Sequence, residues 1–513
     1  MILYSKKDLI YSCVAVLILL IIGACSLTKG ISNWGDDSAA YINEGIAIAE
    51  GKFQDQAEIN YFYHPTDLPK EASDSGSLVY VWGYPLIISL VYKMVGFSAD
   101  TVIFYKLPHL LFLSLLAGAL VLLFRKRLPI LFSFLISVAF CMNYYMQSEL
   151  NMLYSDLPFV FFCIISFLLM ENICEMALRG RRVWGLGIIY GFVLWMTYET
   201  RLSGVTICVL ALLEHIIILF DDYRMNKKLR FSIFEHLFPY LLFVLLVLIS
   251  EKFILMPATS NLSDLSVNVD RIKMFKYYLL LIYEYFDLLA GEGNIIYVLF
   301  ILGIIKAGFK KQNIYFSILM IGTIIVNINL PYIQGIRYVY NILPFMLMYA
   351  AYGVKVLVDL IKYALKRLYT NSKENSFVKK VYLAITHIYK PAIVILVVFV
   401  MIFTCSFGVS NAYDNLINWG KIKDEDVFSP YALEVYSYIK NNTDEDSVIC
   451  FEKPRMLYLN TGHLSFRYDI NGHELSEADY YLKNKICFGD DHIVEQPNGK
   501  IVLENEMFVL YQL

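Results

Sequence analysis

Apolar stretches long enough to cross a bilayer recur along this chain, near residues 9–28, 102–124, 128–146, 154–174, 183–198, 202–220, 236–256, 294–308, 313–332, 337–358 and 391–411. A helix needs about 20 apolar residues to span the hydrocarbon. Within lipid its backbone groups must also be satisfied inside the segment itself, so runs of this kind fold as helices. The expectation is an all-α polytopic membrane bundle of about eleven transmembrane helices. With 58% hydrophobic and 17% charged residues over 513, a soluble globular class is excluded. The first span is too long for a signal-peptide core and no small-x-small cleavage site follows it, so it reads as a retained anchor.

Net charge is only −3, which gives no basis for a nucleic-acid partner. Position matters more than balance. Basic clusters fall after every second span: Lys6 and Lys7, then Arg125-Lys126-Arg127, Arg179 with Arg181 and Arg182, Arg224 to Arg230, Lys306 with Lys310 and Lys311, and the stretch from Lys362 to Lys390. The positive-inside rule places these on the cytoplasmic side of a cell (plasma) membrane, with the N-terminus inside and the C-terminus outside. Residues 29–101, 257–293 and the tail from 412 are then extracytoplasmic. Lys276 to Ala290 is apolar enough to tempt a twelfth span, but counting it would move Lys306, Lys310 and Lys311 outside, so it reads as a Tyr-rich interfacial helix.

In the loop 29–101, residues 38–50 read as a short amphipathic helix ended by Gly51, and Tyr84 to Gly96 as a second with Pro85 in its first turn. Gln54 to Ser77 between them is polar and reads as a loop over a site. The tail differs in kind: a helical stretch (Tyr431 to Asn441), a strand (Ser447 to Glu452) and a hairpin of Ile493–Gln496 with Lys500–Leu503 turning on Asn498-Gly499. The expected organisation is a transmembrane catalytic module over 1–411 and a small extracytoplasmic α+β domain over 412–513. Most cysteines lie in apolar segments; Cys450 and Cys487 fall in the polar tail and are open to pairing if it is exported. The sequence shows no Walker loop, nucleophile elbow or zinc-like Cys/His spacing.

Charges at membrane depth each cost roughly 2.5 to 3.5 kcal/mol at the bilayer centre, so every one needs a partner or a task. Asp36 and Asp37 follow the first span as adjacent carboxylates; mutual repulsion and partial desolvation raise one toward a useful base, while the plainer reading is an acidic turn capping the next helix. Asp156 opens the fourth span after Ser155, either as part of an N-cap or as a site carboxylate. Glu199 and Arg201 share a tight turn and read as a structural ion pair or as site groups. Arg337 enters a late span, snorkelling or holding an anion. Together these groups lie at one level, the outer mouth of the bundle, and suit a substrate with an anionic head and a lipid tail: a guanidinium fork holds phosphate and a carboxylate accepts a hydroxyl proton. His64 in the outer loop is a further substrate contact or an incidental loop histidine.

The ordered set is similar to the integral-membrane glycosyltransferases of the GT-C fold, in the branch containing protein O-mannosyltransferases and lipid A aminoarabinose transferases. The carriers are the acidic pair with Ser38-Ala39-Ala40-Tyr41, Trp82-Gly83-Tyr84-Pro85, Ser155-Asp156-Leu157-Pro158, Arg337-Tyr338 with Pro344, and the tail string from Val448 to Gly462. The resemblance implies that Asp36 is the catalytic base, that Asp37 stands where relatives usually have Glu, that Asp156 is the second-loop acid and that Arg337, beside Tyr338, holds the donor phosphate with help from Arg201. It also implies substrate-binding roles for Tyr84 and Arg455; His463 stands where relatives often carry Arg. Outside the cytoplasmic membrane there is no nucleotide-sugar pool, so the expected donor is a polyprenyl-phosphate sugar and the acceptor a protein, glycan or lipid. Base-assisted inverting attack follows, with no cofactor and no metal expected. The competing reading is a transporter or flippase for a lipid-linked substrate; charges gathered at one interface and not at the midplane weigh against it.

Overall fold

The computed structural model describes residues 4–31, 34–63, 80–226, 233–253, 270–290, 293–329, 335–371, 405–468, 474–485 and 497–513. Helices dominate: Lys6–Ser26, Val102–Arg125, Ile130–Met142, Asp156–Leu178, Trp184–Thr200, Gly204–Asn226, Ile233–Phe253, Arg271–Ala290, Gly293–Ala307, Ile314–Ile328 and Leu343–Asn371 build the bundle, and 405–417 is helical as well. Among the described residues, six helices are long and apolar enough to cross a membrane, or seven if the pair Ile130–Met142 and Tyr144–Asn151, bent by 56°, counts as one span. Most of the eleventh expected span, 391–411, lies outside the described residues. The chain is a multi-pass membrane protein, and large apolar side chains such as Ile10, Leu17, Ile21, Leu248 and Ile305 are exposed on the outside of its helices, as a surface facing lipid requires.

Local chemistry sets the helix ends. Ser5 Oγ accepts from the Asp8 backbone N–H at 3.2 Å while the Asp8 carboxylate accepts from the Ser5 N–H at 2.9 Å, a reciprocal cap on the first helix. Asp8 then accepts from Arg125 Nε at 2.7 Å, tying that start to the end of the Val102–Arg125 helix. The Gly293–Ala307 and Leu343–Asn371 helices meet backbone to backbone: a Cβ on Gly303 would lie 1.7 Å from the Tyr349 carbonyl oxygen, and one on Gly353 1.9 Å from that of Leu299. Without a hydrophobic drive between helices in lipid, close crossings of this kind supply the association. The Arg271–Ala290 segment is helical, with Tyr278, Ile282, Tyr285 and Phe286 buried against the bundle.

The first loop carries the two expected helices, Asp36–Glu50 ending on Gly51 (φ 74°) and Gly83–Val95 ending on Gly96 (φ 66°), both glycines in a positive-φ conformation. The polar stretch after Gly51 departs from expectation, since Phe53–Tyr63 is a helix. Its amides are used up along it: Gln56 Nε2 donates to Asn60 Oδ1 at 3.0 Å and Asn60 Nδ2 to Glu44 Oε1 at 3.3 Å. Residues 64–79, which include His64, lie outside the described residues, as does Cys487; Cys450 is a buried free thiol.

Among its described residues the tail holds the Pro430–Asn442 helix, capped by Ser429 Oγ, the Pro454–Thr461 helix, and a sheet of five strands. Strands β1 (Ile449–Cys450), β2 (Ser465–Phe466), β3 (Tyr480–Asn484), β4 (Lys500–Glu504) and β5 (Phe508–Gln512) lie in the order β2-β1-β3-β5-β4. β1 runs parallel to β2 and β3, whereas β5 is antiparallel to β3 and β4. The closing hairpin is therefore β4 with β5; the expected partner strand, Ile493–Gln496, lies outside the described residues. Asn505 makes the turn, its Oδ1 accepting from the backbone N–H groups of Met507 (3.0 Å) and Phe508 (2.8 Å), and Phe508, Val509 and Leu510 beyond it are buried.

Candidate functional site

Four segments at or beside helix ends deliver charged side chains to one place. The first turn of the Asp36–Glu50 helix supplies Asp36 and Asp37; Asp156 is the first residue of its helix; Arg201 follows Thr200 where the Trp184–Thr200 helix stops; and Arg337 lies in the short 3-10 turn Ile336–Val339. A fifth group arrives from the tail. The Pro454–Thr461 helix packs on the Asp36–Glu50 helix, Asn43 Nδ2 donating to the Arg455 carbonyl at 3.1 Å, and this sets the Arg455 guanidinium among the charges of Asp36, Asp37 and Glu44.

Arg337 is the hub. Its Nη2 donates to Asp37 Oδ2 at 3.1 Å and its Nη1 stands 3.9 Å from Asp156 Oδ2. Asp156 also receives an ion pair from Arg201, so one buried carboxylate bridges two guanidiniums. Aromatic faces line the cations: Arg337 lies 4.9 Å from the Tyr154 ring centre and 5.5 Å from that of Tyr338, and Arg201 4.5 Å from Tyr338. Tyr80 donates to Asp37 Oδ1 at 2.7 Å. Tyr41 and Ser155 share a hydrogen bond of 2.8 Å that joins the first loop to the start of the Asp156–Leu178 helix.

The two adjacent carboxylates sit in opposite electrostatic settings. Burial pushes Asp36 up from the ordinary carboxylate range, against the pull of Arg455 and Lys453, and its enclosed Oδ1 has no hydrogen-bond partner among the described residues. Asp37 is also burdened by burial, yet Arg337 and the Tyr80 hydroxyl outweigh it and hold this carboxyl below its usual range. Neighbouring titratable groups driven apart in this way are how one site obtains a base and a fixed anion.

Of the residues singled out in the sequence, Asp36, Asp37, Asp156, Arg201, Arg337, Tyr338 and Arg455 come together. Of the two readings of Glu199 and Arg201, ion pair or site groups, the ion pair is not formed: Arg201 turns to Asp156, and Glu199 accepts from Ser250 Oγ at 2.8 Å. Tyr84 is fully buried behind the site, edge-on to Tyr41 at 5.0 Å and tilted against His109. His463 is a structural residue of the tail, bonded to Thr443 Oγ1 and the Asp444 carbonyl.

Sequence reasoning missed three participants. Tyr80 and Tyr154 carry no charge and flank the quoted motifs without belonging to them. Glu149, buried and accepting from Tyr340 OH at 3.2 Å, adds a fourth carboxylate within reach of the Asp156, Arg337 and Arg201 charges. Its signal was present: a glutamate within seven residues of Asp156 at the same end of the bundle.

No family model and no curated protein matches the sequence. Solved structures do match the fold. ArnT from Cupriavidus metallidurans bound to undecaprenyl phosphate aligns with a TM-score of 0.59 at 11% identity, over 97% of this chain and 97% of that one. The archaeal oligosaccharyltransferase AglB from Archaeoglobus fulgidus, in complex with an inhibitory peptide and a dolichol-phosphate, aligns with a TM-score of 0.53 at 10% identity, over 90% of this chain and 65% of that longer one. The apo form of the Archaeoglobus fulgidus oligosaccharyltransferase gives 0.53 at 9% identity, over 92% and 69%. These are GT-C enzymes, and the architecture of the present chain, a helical membrane bundle with a small C-terminal sheet, is the GT-C fold.

Proposed function

We propose that this chain is a membrane glycosyltransferase that moves a sugar from a polyprenyl-phosphate donor to a hydroxyl acceptor on the outer face of the cell membrane. The observation that carries the reading is the Asp36–Asp37–Arg337–Asp156–Arg201 constellation, set at one end of a GT-C bundle. Two proteins with this fold are solved with polyprenyl phosphates, ArnT with undecaprenyl phosphate and AglB with dolichol-phosphate.

In the mechanism, Asp36 takes the acceptor's proton as the acceptor oxygen attacks the anomeric carbon from the face opposite the phosphate. The carbon–oxygen bond to phosphate breaks with inversion, and polyprenyl phosphate departs with one more negative charge than the bound diester. Neutralising that charge is the main demand on the site, and it falls to Arg337, with Arg201 behind it. Asp37 and Asp156 hold Arg337 in place from two sides. A base is needed only for the acceptor, which matches one carboxyl raised by burial and its neighbour lowered.

Membranes overexpressing the chain, offered a panel of radiolabelled polyprenyl-phosphate sugars beside an Asp36→Asn variant, test the reading. Donor turnover that disappears in the variant supports transfer and names the sugar. Equal turnover in both, or none with any donor, overturns it.

A further inference from the structure

A second polar centre lies at the other end of the bundle. Asp156 and Leu178 are the first and last residues of one helix, and at 1.5 Å per residue they stand about 33 Å apart, close to the thickness of bilayer hydrocarbon at about 30 Å. Around Leu178 is a cavity of about 580 Å³ lined by Glu171, Cys174, Glu175 and Leu178 of that helix, by Glu214, Ile218 and Asp221, and by Lys126, Arg127 and Lys311. Both acidic sets recur at helical spacing, so each helix turns one face to the same space.

Most of its charges are already matched. Arg127 Nη2 lies 2.5 Å from Glu171 Oε1, and Arg127 also donates to Asn313, the Gln312 carbonyl and Tyr315 OH. Lys126 donates to Asn172 Oδ1 at 2.9 Å and stands 3.4 Å from Glu175. Glu214 is different: it is only 4% exposed, it lines the cavity, and its Oε2 has no hydrogen-bond partner among the described residues. A buried carboxylate oxygen left unpaired is costly, and a cationic N–H donor would relieve it. Toward the mouth the character reverses. Lys311 and Asp221 form a half-exposed ion pair, and pairs exposed to this degree add little to stability.

An acid at depth and a lysine at the rim describe the complement of a zwitterion with its ammonium inward and its anion outward. We infer that this cavity binds the phosphoethanolamine headgroup of a membrane phospholipid. The ammonium sits on Glu214, the phosphate meets Lys311, and the acyl chains run out past Ile218 and Leu178. A phosphoglycerol headgroup offers no cation to Glu214, and a trimethylammonium offers no N–H. The volume falls in the usual range for small-ligand sites, and the position at the membrane face opposite the candidate site favours a lipid as the source.

Full-length protein in detergent micelles, mixed with phosphatidylethanolamine, phosphatidylcholine or phosphatidylglycerol and examined by native mass spectrometry, tests this without reference to sugar transfer. Wild type should retain phosphatidylethanolamine about tenfold better than either other lipid, the worth of one charge-assisted hydrogen bond, and Glu214→Gln should abolish the preference. The lipid comparison on wild type needs no variant to fold. Equal retention of phosphatidylethanolamine and phosphatidylcholine by wild type, or undiminished preference in a folded Glu214→Gln, would overturn the inference. Thermal stabilisation by free phosphoethanolamine as strong as that by the lipid would overturn a lipid as the occupant.

Discussion

Asp36 and Asp37 are adjacent, yet one is raised by burial and the other is held down by Arg337 and Tyr80. A carboxyl whose folded pKa exceeds its unfolded value binds its proton more tightly in the fold. Ionised Asp36 therefore costs stability at neutral pH, and that cost disappears as pH falls below the unfolded value. Asp36→Asn is expected to lower donor turnover by about two to four orders of magnitude, the range for a general base, while melting no lower than wild type at pH 7 and losing that advantage in acid. Thermal unfolding of both proteins across pH checks the sign. In wild type, turnover should rise with pH through a titration above the ordinary carboxylate range. Arg337 answers to a different demand. Its planar fork serves Asp37 and approaches Asp156, so Arg337→Lys, with charge but no fork, should still lose about a hundredfold or more in turnover. An Arg337→Lys rate near wild type would remove Arg337 from the phosphate role.

At the scale of elements, the sequence was legible where a boundary depends on local stereochemistry. Gly51 and Gly96 stop the two loop helices because each adopts a positive φ there. Contacts across the chain were hidden. Proximity in sequence leaves Glu199 open as a partner for Arg201, while its partner in the fold, Asp156, is 45 residues away. Lys106 read as part of an apolar run, yet it is fully buried and its Nζ donates to Thr28 O (2.7 Å), Gly30 O (2.5 Å) and Asn151 Oδ1 (3.0 Å), fixing the chain just before the acidic pair. The Gly303–Gly353 crossing was likewise unreadable from periodicity, because the spacing of one helix does not say which neighbour approaches. Gly303→Leu should push the two backbones apart at a cost on the order of 3 kcal/mol, seen as loss of the monodisperse peak in size-exclusion chromatography. Gly322→Ala, whose added Cβ meets nothing within 4 Å, should leave that peak unchanged.

In the whole molecule, the tail is a working wall of the candidate site. Its helix Pro454–Thr461 carries Arg455 to the acidic pair, and the segment just before that pair is anchored in the tail's own core. Trp34 is almost fully buried, packs edge-on against Phe451 (6.0 Å) and Phe508 (5.7 Å), and donates from Nε1 to the Glu425 carbonyl at 2.7 Å. Asp36 is two residues further on, so the docking of the tail and the placement of the acidic pair are one structural event. Sequence pattern pointed to a separate α+β unit but not to this seam, because a lone Trp in a loop carries no periodicity to say what it faces. Trp34→Ala removes both rings' partner and should cost about 3 to 5 kcal/mol, whereas Trp34→Phe keeps an aromatic in the seam and loses chiefly the hydrogen bond, about 1 kcal/mol. Limited proteolysis should then release the tail from Trp34→Ala but not from Trp34→Phe. Donor turnover should fall in the same order, although Asp36, Asp156 and Arg337 are untouched in both. Release of the tail with turnover retained would mean that the bundle alone holds the acidic pair in place.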